Sequence, residues 1–160
     1  MTEITDKTDA TPDDKQDRPS LFVQPEGQDW FLVWHIWEAE TQGISKPVTI
    51  WLNGTVISGY IVSGKQYFEE LGQSYVDAAS GDSDAANLQR SLGQSYARFS
   101  ELYDPERPVD LADFKPSYLH LSGARTFVGA NFTIPSTSGA LMRVRLASVD
   151  GFIMGEVQLS

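Results

Sequence analysis

The sequence predicts an α+β fold: a small antiparallel sheet or open barrel built from two hairpins, packed by an N-terminal helix and a helical pair inserted between the hairpins. Three observations carry this. An alternating apolar stretch turns at Asn53-Gly54 and returns, the pattern of a tight hairpin. A second alternating stretch, Leu141–Leu146, is followed by Asp150-Gly151 and Phe152–Val157, repeating the same logic. Between the two, helical caps and helical spacing run from Ser63 to Leu102.

Residues 1–19 are polar, charged and aperiodic, which predicts a disordered acidic tail ahead of a single α+β domain over 20–160. Order is expected to begin at Leu21-Phe22-Val23. Asp29 can cap a helix through Trp30–Ala39, with Gly43 as its stop, although Glu38 and Glu40 oppose the helix dipole there. A strand is the alternative, because Phe31, Val33, His35 and Trp37 also alternate. The first hairpin pairs Val48–Leu52 with Thr55–Val62, and Gly59 within the second strand predicts a bulge or bend.

Ser63 and Gln66 have the spacing of a capping box, opening a helix with Phe68, Leu71, Tyr75 and Ala78 on one face. A break at Ser80–Ser83 precedes a second helix from Asp84, whose apolar positions Leu88, Leu92, Phe99 and Leu102 form one stripe. The pentapeptide Leu-Gly-Gln-Ser-Tyr occurs at Leu71–Tyr75 and again at Leu92–Tyr96, at like points of the two helices. Asp104-Pro105 ends the helical region, and Tyr118–Leu121 begins a strand region running to Val128.

The formal net charge of −10 is concentrated in the tail and in Glu69–Asp113, while the last third turns slightly basic through Lys115, Arg125, Arg143 and Arg145. This balance keeps the chain soluble and predicts no binding to nucleic acid or anionic lipid, since phosphate recognition needs a dense basic patch. No secretory signal or membrane-length apolar run is present, so a cytoplasmic location without membrane insertion is expected.

The chemistry-bearing residues point away from catalysis. The absence of cysteine and the presence of only two histidines exclude a thiolate nucleophile and a histidine- or cysteine-rich metal centre. Gly59–Lys65 has most of a phosphate-loop spacing, but Gln66 stands where Ser or Thr must reach magnesium, and the interior reads as a strand. His35 and His120 sit among apolar residues with no nucleophile or orienting carboxylate in recognisable spacing. Glu69-Glu70 and Asp82-Ser83-Asp84 lack the alternation of a calcium loop. No catalytic residue, metal site or cofactor is therefore expected. The candidate partner-binding residues are Trp30, Trp34 and Trp37, at helical spacing, and Arg143 and Arg145, which alternate with Met142, Val144 and Leu146 on one strand face.

The stretch Val48–Phe68, with Asn53-Gly54 and Val56-Ile57-Ser58-Gly59, resembles the gas vesicle accessory protein GvpU family. So do Tyr118–Leu121 and Val149–Val157 with Val149-Asp150-Gly151-Phe152. The resemblance implies a cytoplasmic accessory factor at the gas vesicle surface. Such a factor would modulate assembly or clustering through contacts with shell or other gas vesicle proteins, or by self-association. The competing expectation is a small-molecule-binding barrel or minor enzyme using a pocket between helices and sheet.

Overall fold

A computed structural model describes residues 27–103, 109–129 and 132–157. The acidic tail, Leu21–Val23 and Asp104-Pro105 lie outside the described residues. Helix α1 spans Trp30–Gln42, strands β1 and β2 span Lys46–Leu52 and Thr55–Val62, and helices α2 and α3 span Gly64–Ala78 and Asp84–Ala97. A 3-10 turn, Arg98–Leu102, follows α3; then come β3 (Tyr118–Phe127), β4 (Thr133–Ile134), β5 (Ala140–Arg145), a 3-10 turn (Leu146–Ser148) and β6 (Gly151–Met154).

Local chemistry sets the ends of α1 as expected. The Asp29 carboxylate accepts from the Phe31 and Leu32 amides, and Gly43 closes the helix in the left-handed region. The Asn53-Gly54 turn has φ of +48° and +79°, the backbone of a type I′ hairpin. At α2 the capping box is half made. Ser63 Oγ accepts from the Gln66 amide, but the Gln66 side chain donates to Glu70 instead of returning to the cap. Glu40, reaching over from α1, accepts from the Gly64 amide at the helix N-terminus.

The second expected hairpin does not form. β5 pairs antiparallel with β3, and β6 pairs antiparallel with β1, so the two strands lie on opposite sides of the sheet. Asp150 is held by the first hairpin: its amide donates to the Trp51 carbonyl and its carboxylate accepts from the Asn53 amide. Gly151 has no left-handed φ. The turn chemistry of Asp-Gly was present, but docking to Asn53 satisfied it.

The linker between β5 and β6 shows how strongly the sheet curls. The Leu146 amide donates to Ser117 at one corner of the sheet and the Asp150 amide to Trp51 at the diagonal corner. On a flat sheet those anchors would be on the order of 25 Å apart, whereas the intervening residues reach about 14 Å. The sheet is therefore coiled into an open barrel. Its bend is built around Gly59, as expected, but the extra residue is on the facing strand. Pairing passes from Ser58↔Arg125 to Tyr60↔Ser122, and on the other side from Leu121↔Met142 to Ala124↔Ala140, so β3 carries the bulge. Gly59 makes room for it: a Cβ there would sit 2.9 Å from Ala124 Cα.

α1 fills the barrel. Leu32, Val33, Ile36 and Ala39 form one core with Val48, Ile50, Ile57, Ile61, Leu119, Leu121 and Val144. The other face of β3 carries His120 and is covered by α2, through Tyr67 and Phe68, and by Tyr103. α2 and α3 then pack on each other through small residues. Gly72 and Gly93 are the point of closest approach, where a Cβ on either would lie 2.5 Å from the other's carbonyl oxygen. Tyr75 and Tyr96 meet edge to face at 5.0 Å. The repeated pentapeptide is thus the two halves of one helix crossing.

The stripe on α3 is the reverse of a core stripe. Ala86 and Gly93 are the buried residues of that helix, while Leu88 (63% exposed) and Leu92 face outward; Phe99, 5.5 Å from Phe68 of α2, and Leu102 (77% exposed) fall in the 3-10 turn and not in the helix.

Candidate partner-binding surfaces

Two groups of residues were expected to contact a partner, and the structure places them differently. The tryptophans ride on the outer side of α1. Trp30 and Phe31 are 37% and 38% exposed, and Phe31 stacks on Trp34 at 5.9 Å and 14°. Trp34 is half-buried, with Lys46 Nζ 4.9 Å from its ring centre. Trp37 is tied down: its indole N–H donates to the Val109 carbonyl at 2.7 Å. The aromatic stripe is therefore Trp30, Phe31 and Trp34, and Phe31 is the member that helical spacing of tryptophans alone did not show.

Arg143 and Arg145 are exposed while Val144 between them is buried, as strand alternation predicts. Arg143 lies opposite His120 and Arg145 opposite Tyr118, so both arginines share the face that α2 covers farther in. The Arg143 guanidinium sits 3.7 Å from the Tyr118 ring centre. Glu156 lies away from them, past the end of β6, where it accepts from the Tyr60 hydroxyl. Among the described strands β5 pairs only with β3, which leaves its outer edge open beside the two guanidinium groups.

Behind that edge lies a buried ionisable group of residues. His120 is 2% exposed and neither ring nitrogen has a hydrogen-bond partner among the described residues. Burial, helped by the Arg143 charge, pushes its pKa down to about 4, so it is neutral at pH 7. Glu40 Oε1 is 3.9 Å from His120 Nδ1, and burial pushes this carboxyl up to about 7, against the hydrogen bond from Gly64. Burial also raises the Tyr67 and Tyr103 phenols, with Arg143 opposing in both. The sequence signal for Glu40 was its wrong sign at the end of α1; its role at the start of α2 was not visible without the fold.

A second group sits at the α1–β1 junction. Lys46 Nζ contacts both Glu38 Oε2 and His35 Nδ1, the latter at 3.2 Å, and His35 is held neutral by burial and by that ammonium. Both histidines are buried, but His35, contrary to expectation, has a carboxylate one helical turn on, Glu38 Oε2 at 3.3 Å from its Nδ1, whereas His120 is packed among rings.

A surface depression of about 280 Å³ is lined by Asp29, Leu146, Val149, Asp150, Gly151 and Phe152. Its two carboxylates are already engaged, Asp29 in capping α1 and Asp150 with Asn53. Among the described residues no three metal-ligating side chains converge, and no helix is long and apolar enough to cross a membrane.

These features define an α+β open-barrel protein whose exposed apolar and cationic groups lie on its outer surface, with the barrel interior filled by its own helix. The model of the family described as gas vesicle protein GvpU-like matches residues 29–157, and the chain belongs to that family. No curated protein and no solved structure matches the chain.

Proposed function

We propose that this chain is a non-catalytic gas vesicle accessory protein that modulates vesicle assembly or clustering by protein–protein contact. The observation that carries this is the family match over 29–157. The exposed Arg143 and Arg145, beside the open edge of β5, form the contact surface for an acidic patch on a shell protein or another gas vesicle protein. Against the competing expectation of a binding pocket between helices and sheet, Tyr67, Phe68 and Tyr103 pack around His120 there.

Flotation with purified, buoyant gas vesicles tests the reading. The chain should rise with the vesicles at low salt, and less of it should rise once salt shortens the Debye length well below about 10 Å. Arg143→Glu with Arg145→Glu should abolish flotation, with circular dichroism checking that the fold survives loss of the Arg143–Tyr118 contact. If the doubly reversed chain floats normally, the arginine edge is the wrong surface and the Trp30–Trp34 stripe takes its place. If the unaltered chain never floats, direct vesicle contact is wrong.

A further inference from the structure

The outward stripe of α3 has a regular spacing. Within α3, Leu88, Leu92 and Ser95 follow one another by four and three residues, the heptad step that presents a seam to another helix, and Phe99 and Leu102 lie beyond its end in the 3-10 turn. α3 meets α2 at Gly93 and Ala97, and the 3-10 turn adds Phe99 against Phe68, which leaves Leu88 and Leu92 as the outward part of the seam. Its apolar members are exposed, and the stripe carries no charge of its own.

The flank of the seam says what fits it. Asp84 and Arg98 lie on the same side, one seven residues before Ser91 and the other seven after it. Both are exposed, and neither has an ion-pair partner among the described residues. A copy of α3 laid antiparallel about a two-fold axis near Ser91 brings Asp84 of each chain to Arg98 of the other. A parallel copy would set Asp84 against Asp84 and Arg98 against Arg98. The antiparallel register also sets Leu88 of each copy against Leu92 of the other, both within reach of the same axis.

We propose that this stripe is a self-docking face, on which a second copy of the chain lays its own α3 antiparallel, centred near Ser91. The contact is isologous, so it closes at a dimer. It rests on the α3 surface alone and does not depend on the gas vesicle reading.

Sedimentation of the full chain, without vesicles, tests it. The unaltered chain should run at twice the monomer mass, and Leu88→Glu with Leu92→Glu should run as a folded monomer by circular dichroism. Asp84→Arg and Arg98→Asp should each weaken the dimer, by about tenfold in Kd if each of the two symmetric pairs turns repulsive. The combined variant should recover most of the affinity, because the pairs re-form with their signs exchanged. This charge cycle stands even if the leucine variant misfolds. A chain that stays monomeric at about 100 µM, well above the Kd of an ordinary specific interface, overturns the proposal. So does a dimer unaffected by folded Leu88→Glu/Leu92→Glu. A combined charge variant no better than the single ones overturns the antiparallel register.

Discussion

Helices α1 and α3 dispose of their large apolar residues in opposite ways. α1 sinks Leu32, Val33 and Ile36 into the curled sheet, where each is at most 1% exposed. α3 turns Ala86 and Gly93 inward and leaves its leucines outside. The difference comes from the surface each helix meets. A coiled sheet offers a concave, deep groove that takes branched side chains, whereas α2 offers a backbone at closest approach, which only glycine and alanine can match. Apolar spacing identifies a helix; the shape of the neighbour decides which face is buried.

The largest test of this contrast removes side-chain volume from each side. Leu121→Ala, at a fully buried position in the barrel core, should cost about 2–5 kcal/mol of unfolding free energy in urea titration. A loss well under this range would mean that the barrel core is not close-packed at β3.

The two Asn/Asp-Gly sites sharpen the same lesson on turns. Gly54→Val forces a β-branched residue to φ near +79° and should cost about 1–3 kcal/mol. Gly151→Val should cost far less, because Gly151 has ordinary φ and open space where a Cβ would go. Equal losses at both sites would contradict the docking of Asp150 onto Asn53.

These particulars show what was legible. Asp29, Gly43 and Asn53-Gly54 act through their own backbone neighbours, so the α1 ends and the first hairpin could be read from sequence. The exposure of Arg143 and Arg145 followed from strand alternation. The partner of β5, the outward turn of α3 and the reach of Glu40 to Gly64 depend on residues distant in the chain. Local periodicity carries no information about them.

The buried pair behind the arginine edge predicts a smaller, pH-dependent effect. Glu40 binds its proton more tightly in the fold than in the open chain, so its penalty, present above pH 7, is relieved as pH falls toward 4.5. His120 binds its proton less tightly in the fold, so stability is lost as pH falls from 6.5 toward 4. His35 is shifted in the same direction as His120. The Glu40 gain offsets part of the histidine loss between those limits. Glu40→Gln should therefore lower the thermal midpoint more steeply than the unaltered chain does between about pH 7 and 5. Parallel pH profiles for the two would contradict the assignment.

Leu88→Ala should be the mildest change, within about 0.5 kcal/mol in the monomer, because its side chain is 63% exposed. A core-sized loss in a concentration-independent measurement would show that the α3 stripe packs within the chain.

In the function proposed above, the sheet and α1 maintain the fold while the outer surface, led by the open edge of β5, makes the vesicle contact. Amide hydrogen exchange on the full chain, with and without purified gas vesicles, tests this most directly. The outward amides of Ala140–Arg145 should exchange more slowly when vesicles are present, with the β1–β2 hairpin unchanged. Added protection confined to the Trp30–Trp34 stretch, or none anywhere at vesicle concentrations that float the chain, would contradict it.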